Sequence, residues 1–290
     1  MTGGAVGQRR AAVLGSPIGH SLSPVLHRAA YDALGLAGWT YEAYDVAAPD
    51  LAHFLAGLDD TWAGLSLTMP LKAAVLPLLD SATPVVEVVG GANTVVLTGG
   101  RRHGDNTDVP GMAAALAQHG VGQVGSVAIL GGGATARSAL AAVADLTGTA
   151  RMWSRSSSRE DGLRATAEAA GLDLEIAPWD TAAAALEAPL VVNTTPAGAA
   201  DDLAGMLPAA VGTLFEVLYD PWPTPLAAAW AQRGGQVVDG LDLLVHQAVL
   251  QVGLMTGARV DVPGFSAHLR RAGEQALRAQ GLPHLRRSLS

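Results

Sequence analysis

The sequence predicts an α/β protein in two lobes, each laid around a parallel sheet. Short apolar runs alternate with alanine-rich stretches of helical spacing almost throughout. A Gly-rich turn joins one such run to a helix midway along the chain. At 290 residues the chain is long enough to bury two cores.

The first series opens with "AAVLG" as a strand and "SPVLHRAAYDALGL" as a helix, its apolar positions three and four apart. "TYEAYDV" reads as a strand, "LAHFLAGL" as a helix and "WAGLSLT" as a third strand. This alternation predicts βαβ units and therefore parallel pairing. A second series begins near Val109. "SVAILGGGATARSALAAVADL" is strand, turn and helix; "ARMWSR" is the next strand and "EDGLRATAEAAG" a helix. "PLVVNTTPAG" and "GTLFEVLYD" follow as strands, then "TPLAAAWAQRG" as a helix and "QVVDG" as the last strand. A long helix, "LDLLVHQAVLQVGLMTG", comes next. The expected domains are therefore 1–108 with 241–290, and 109–240 between them. A chain that leaves one lobe and returns to it creates a cleft, a common setting for small-molecule sites.

Composition narrows the function. With a net charge of −8 and only 15% charged residues, the chain lacks the basic face that a nucleic acid or an anionic membrane would require. No apolar run approaches the length of a membrane span. After Arg9 and Arg10, "AAVLGSPIGH" breaks too early for an export signal, so the expected location is the cytoplasm. There are no cysteines, which excludes disulfides and thiolate chemistry. The eight histidines show no metal-binding spacing, so no metal is expected, and His20, His27 and His246 read as structural. Arg270, Arg271, Arg278, Arg286 and Arg287 read as a solvated helix face and tail. The expected state is a monomer or homodimer.

Seventeen arginines and a single lysine, Lys72, make up the 18 basic residues. A lone lysine in so arginine-rich a chain points to a task that arginine cannot perform, and proton exchange is such a task.

"AILGGGATARSA" places Gly131-x-Gly133-x-x-Ala136 between a strand and a helix. Gly131, Gly132, Gly133 and Ala134 allow a tight turn and close approach of a pyrophosphate to the helix N-terminus. About twenty residues on, where NAD-binding folds of this Rossmann type carry an Asp or Glu for the ribose, this chain has "SRSSSR". Ser154, Arg155, Ser156 and Arg159 offer hydroxyls and guanidinium forks, which suit a 2′-phosphate. The expected cofactor is NADP rather than NAD.

The remaining polar groups gather in short segments: "GHSLSP" with Ser21 and Ser23, "SLTMPLK" with Thr68 and Lys72, "GGANTV" with Asn93, "GDNTD" with Asp105, Asn106 and Asp108, and "LLVHQA" with Gln247. Small hydroxyls and amides suit a polyhydroxylated substrate, and Lys72 with Asp108 supplies an ionisable pair. Taken together and in this order, "SPIGHSLSP", "TMPLK", "GANTV", "GDNTD", "SRSSSR", "YDPWPTP" and "GLDLLVHQ" resemble the shikimate dehydrogenase family, over about Ala12 to Ala248.

The resemblance implies a substrate-binding lobe and an NADP-binding Rossmann lobe. It implies that Ser21, Ser23 and Thr68 hold the substrate carboxylate, with Tyr219 nearby, and that Asn93, Asp108 and Gln247 bind ring hydroxyls. Lys72 and Asp108 would form the catalytic pair, and Asn193, Thr194 and Gly240 would line the cofactor towards its nicotinamide. The implied activity is reversible NADP-dependent reduction of 3-dehydroshikimate to shikimate. This chain departs from the family pattern at Ser66, where Asn is usual, at Leu243, where Met is common, and at Ser154, where Asn is usual. Ser66 keeps a quinate or aminoshikimate dehydrogenase as an alternative. Further rivals are a two-domain NADP enzyme of folate metabolism and a non-catalytic NADP-sensing regulator.

Overall fold

The computed structural model describes residues 8–155, 157–262 and 264–279. Two compact units divide the chain: Met1–Thr107 with Gln247–Ala276, and Asp108–His246 with Leu277–Ser290.

In the first unit, β1 (Arg9–Gly15), α1 (Ser23–Ala33), β2 (Trp39–Asp45), α2 (Leu51–Ala56) and β3 (Trp62–Leu67) follow in order. β1 pairs in parallel with both β2 and β3, as alternating strand and helix require. Beyond β3 the parallel expectation fails. After α3 (Leu71–Ala74), β4 (Ser81–Ala82) and α4 (Pro84–Val89), the chain forms β5 (Thr94–Thr98), antiparallel to β3, and β6 (Arg101–Asp105), antiparallel to β5 and parallel to β4. The sheet order is β2-β1-β3-β5-β6-β4, a mixed sheet. The cause is the pair Gly99–Gly100, which closes a two-residue hairpin with φ of +59° and +73°. Such a turn needs left-handed backbone at both positions, which glycine adopts without penalty. Leu14, Leu65, Leu71, Val75 and Val95 fill the core beside this sheet.

The second unit opens with α5 (Asp108–Gln118). It continues through β7 (Val127–Leu130), α6 (Ala134–Val143), β8 (Thr149–Ser154), α7 (Glu160–Ala169), β9 (Asp173–Pro178), β10 (Leu190–Asn193), β11 (Thr213–Glu216), α8 (Pro225–Gln232) and β12 (Gln236–Val238). All five strand pairings are parallel, in the order β12-β11-β10-β7-β8-β9. Val127 and Ile129 face one core with Leu140, Met152 and Leu163, while Ala128 and Leu130 face another with Trp153, Leu214 and Trp230. A parallel sheet covered on both faces reads as a continuous apolar run, which is why "VAIL" and "LVV" carry no polar alternation. The order reverses between β7 and β10, and an open sheet of this kind binds its ligand at the carboxyl ends of such strands.

The helix α9 (Gly240–Thr256) begins in the second unit and ends in the first, with the division at Gln247. The closing helix α10 (Phe265–Ala279) exposes Arg271 and Arg278, while Arg270 bonds Glu274 at 3.1 Å; Arg286 and Arg287 lie outside the described residues. No helix among the described residues is long and apolar enough to cross a membrane.

The hairpin yields a stability test. Gly100→Ala is expected to cost about 1 kcal/mol in urea unfolding, because a Cβ is disfavoured at positive φ, whereas Gly100→Asn should cost a fraction of that. Equal stability of the alanine variant and the wild type would remove the left-handed requirement.

Candidate functional site

In the first unit the motif loops are joined by main-chain hydrogen bonds. The N–H of Thr68 donates to Leu14 at 2.9 Å and that of Ser16 to Met69 at 3.0 Å, which fastens the end of β3 to the end of β1. Gly15 makes this possible, since a Cβ there would lie 2.3 Å from Cγ2 of Thr68. The N–H of Ala92 donates to the carbonyl of Lys72 at 2.8 Å. Leu67 donates to Asn93 at 2.7 Å, and Asn93 donates to Asp105 at 3.1 Å. Thr68, Lys72, Asn93 and the segment ahead of Asp108 are thereby brought to one end of the sheet.

Their side chains divide into holders and candidates for ligand contact. Asp105 accepts from Thr83 at 2.8 Å and from the N–H of Asn106 at 2.7 Å. Asn106 donates to the carbonyl of Gly91 at 2.8 Å. These two residues shape the turn that leads into Asp108, at the start of α5. Ser21 accepts from the N–H of Ser23 at 3.3 Å, at the entry to α1, and Ser23 is buried. Lys72 is half-buried on the one-turn α3. Asn93 is buried, its Oδ1 accepting from Thr94 and from the N–H of Thr107, both at 2.8 Å. Gln247 lies on α9 and is also buried.

Ser66, where the family pattern has Asn, is buried, accepts from Tyr41 at 2.6 Å and donates to Gln251 at 2.7 Å. Its only hydroxyl proton is thus engaged inside the protein. Gln251 also meets Nε2 of His27 at 3.3 Å. His27 stacks on Tyr41 at 3.8 Å between ring centroids, and burial pushes its imidazole down to about 3. It is a neutral core residue, in keeping with the structural role expected of it. Sequence inspection missed Gln251, although a second glutamine four residues after Gln247 on an apolar helix shares its face.

In the second unit, Gly131 adopts φ +107°, and a Cβ there would lie 2.5 Å from Oγ1 of Thr194, beyond the end of β10. Thr194 donates to the carbonyl of Leu130 at 2.8 Å, so its side chain closes the gap between β7 and β10. A Cβ on Gly132 would lie 2.5 Å from Oγ of Ser154, and one on Gly133 would lie 3.9 Å from Nη1 of Arg159. The glycine turn, the end of β8 and Arg159 therefore converge. Gly133 is the N-cap of α6, whose first residue is Ala134, and no side chain caps this ten-residue helix. Its free N–H groups and the space left by three glycines fit a pyrophosphate. Arg155 is exposed, with its guanidinium 5.7 Å from the Trp179 ring centroid. Ser156 lies outside the described residues.

Asn193 behaves differently from a ligand-facing amide. It is buried, donates to Glu216 at 2.8 Å and accepts from Oγ1 of Thr195 at 2.8 Å. Glu216 is fully buried at the end of β11 and accepts also from Thr224 at 3.0 Å. No cation pairs with it among the described residues, and burial pushes its carboxyl up to about 7 against these hydrogen bonds. A Cβ on Gly240 would lie 2.2 Å from the carbonyl of Val217, in the segment after that strand that leads to the half-buried Tyr219. Glu216 went unnoticed in the sequence, where the single acid inside "TLFEVL" was the available sign.

Comparison with known proteins follows this geometry. The family model described as "Shikimate dehydrogenase substrate binding domain" matches residues 13–95, which hold the loops of Thr68, Lys72 and Asn93. A shikimate dehydrogenase (NADP(+)) of Thermus thermophilus is 36% identical over 267 residues, covering 91% of this chain and 98% of that protein. The chain belongs to the shikimate dehydrogenase family. Among solved structures, a Mycobacterium tuberculosis shikimate dehydrogenase superposes with a TM-score of 0.81 at 41% identity, covering 93% of this chain and 99% of that one. A Thermus thermophilus shikimate 5-dehydrogenase in complex with NADP(H) and shikimate gives 0.80 at 33% identity, covering 93% and 100%. Membership in the family accounts for the order of the motifs along both units and for the parallel sheet with its reversal between β7 and β10.

The buried Glu216 carries a pH signature. Its folded value lies above the ordinary 4.5, so the folded protein holds an extra proton between 4.5 and about 7, and stability falls as pH rises through that window. Glu216→Gln should therefore gain on the wild type by about 3 kcal/mol between pH 4.5 and about pH 8. Unfolding by denaturant at a series of pH values tests this, and a pH-independent difference would refute it.

Proposed function

We propose that this chain catalyses the reversible, NADP-dependent reduction of 3-dehydroshikimate to shikimate. The observation that carries the reading is the placement of Lys72. The chain's single lysine sits on a one-turn helix whose carbonyl is hydrogen-bonded at 2.8 Å to the segment presenting Asn93, with Thr68 one turn before it. Family membership supplies the substrate class.

In this reading residues 1–108 with 241–290 form the substrate-binding lobe and 109–240 the NADP-binding lobe. Ser21, Ser23 and Thr68 take the carboxylate with Tyr219, while Asn93, Asp108 and Gln247 take ring hydroxyls. Gly131, Gly132, Gly133 and Ala134 receive the pyrophosphate of NADP. Ser154, Arg155, Ser156 and Arg159 receive its 2′-phosphate, and Asn193, Thr194 and Gly240 shape the floor near the nicotinamide. When bound, NADP supplies the hydride acceptor or donor. The protein's part is to orient the substrate carbon and to move one proton. Lys72 exchanges that proton with the substrate oxygen, and Asp108 is its partner. The activity belongs in the cytoplasm, carried out by a monomer or homodimer.

Ser66 does not favour the quinate alternative, because its hydroxyl is already engaged with Tyr41 and Gln251. A spectrophotometric screen of shikimate, quinate and aminoshikimate against NADP and NAD tests the assignment. Shikimate with NADP is expected to give the highest kcat/KM, and equal efficiency on quinate would overturn it.

Two substitutions probe the roles. Arg155→Ala is expected to weaken NADP binding by roughly 1.5–3 kcal/mol, about ten- to over a hundredfold, while leaving the weaker NAD binding nearly unchanged. Parallel losses for both cofactors would make the arginine structural. Lys72→Arg separates charge from proton exchange, since a guanidinium keeps its proton across the working range. Turnover should fall by about 10² to 10⁴ with NADP affinity unchanged. An arginine variant within about tenfold of wild type would rule out proton transfer by Lys72.

A further inference from the structure

Most arginines among the described residues have a partner. Arg151 pairs with Glu175 at 2.9 Å and Arg259 with Asp261 at 2.6 Å, while Arg28 and Arg233 each donate to a main-chain carbonyl at 3.0 Å. Arg137, the fourth residue of α6, is different. It is half-buried, its Nε is buried with no hydrogen-bond partner, and no carboxylate among the described residues pairs with it. The guanidinium rests on the first turn of α7: a Cβ on Gly162 would lie 3.0 Å from its Nη2 and 3.2 Å from its Cζ. That turn carries two acids, yet Glu160 lies 3.8 Å from Arg164 and Asp161 is exposed. Glycine is a poor helix former, and here the missing side chain gives the guanidinium a seat.

Arg159, the N-cap of α7, reaches the other way, its Nη1 3.9 Å from where a Cβ on Gly133 would stand. Arg137 thus runs from α6 to α7, and Arg159 from α7 to the turn before α6. Both helices lack a side-chain cap, so two cations bridge two N-termini that already carry partial positive charge. Arg155 adds a third cation just after the end of β8. Unpaired charge gathered around a buried, unpartnered N–H is unfavourable, and an anion seated there would offset it. We propose that Arg137 is a third arginine for the 2′-phosphate of NADP, acting from α6 opposite Arg155 and Arg159. The proposal rests on the reading of that loop given above. In a fold of this type the ribose 2′ position lies at the end of the second strand, which is where β8 runs into α7. Arg137 leans to that side, away from the N–H groups of its own helix that suit the pyrophosphate. Its Nη atoms are not buried, and the contact with Gly162 holds their fork in place before ligand arrives.

Calorimetric titration of the full chain with 2′,5′-ADP and with 5′-AMP tests this, since the two nucleotides differ only in the 2′-phosphate. Arg137→Met keeps an apolar stem and removes the charge and the fork. It is expected to weaken 2′,5′-ADP binding by about tenfold and to leave 5′-AMP within about twofold of wild type. Arg137→Lys, which keeps the charge without the fork, should bind 2′,5′-ADP within about threefold of wild type. Equal losses for both nucleotides would put Arg137 at the pyrophosphate or in the fold, and an unchanged 2′,5′-ADP affinity would remove it from binding; either result overturns the proposal. Arg155→Ala separates the proposal from the reading beneath it. If that variant loses 2′,5′-ADP affinity and Arg137→Met does not, the proposal alone fails. A wild type that binds both nucleotides equally well overturns the 2′-phosphate reading and the proposal together. If Arg137→Met does not fold, Arg137→Gln takes its place with the same expected losses.

Discussion

The N–H of Ala92 donates to the carbonyl of Lys72, and on that 2.8 Å bond the arrangement of the first unit turns. It ties a one-turn helix, too short to be stable alone, to the segment that leads into β5. The neighbouring bonds from Leu67 to Asn93 and from Asn93 to Asp105 extend the tie to three loops that are distant in sequence. Because these are main-chain bonds, they fix where Lys72 and Asn93 begin regardless of which side chains surround them. The N–H of Thr107, donating to Oδ1 of Asn93 at 2.8 Å, then sets the orientation of that amide.

The second unit solves a different problem. There the constraint is space: three consecutive glycines lie under Thr194, Ser154 and Arg159, each closer than an added side chain would allow or just at contact. A turn that leaves this much room, ahead of a helix whose N–H groups no side chain caps, suits an anion. Glu216 shows the cost of shaping the neighbouring loop. A buried carboxylate with only neutral donors is unfavourable, yet it organises Asn193 and, with Thr224, the start of α8.

Much of this was legible in the sequence, for identifiable reasons. Strands such as "VAIL" and the glycine turn after it announce themselves because local sterics and burial on both faces demand those residues. The βαβ pattern of β1 to β3 was equally plain. The antiparallel half of the first sheet was not, because β6 is the polar, half-exposed run "RRHGD", which carries no apolar strand pattern of its own. Strand β9 was missed as well, since "DLEIAP" is half-exposed at a sheet edge and ends in proline. Among site residues, those carried by motifs could be named in advance. Gln251, Thr94 and Glu216 could not, because their importance lies in what they touch across long sequence separations.

The half-buried Lys72 has a practical consequence. No other side chain in this protein carries a primary amine, and none carries a thiol. A reagent that acylates amines will therefore meet one side chain besides the chain terminus, and that one stands beside Asn93. Stoichiometric labelling becomes a direct measure of access to this loop, and protection by a small molecule becomes a binding assay that needs no turnover.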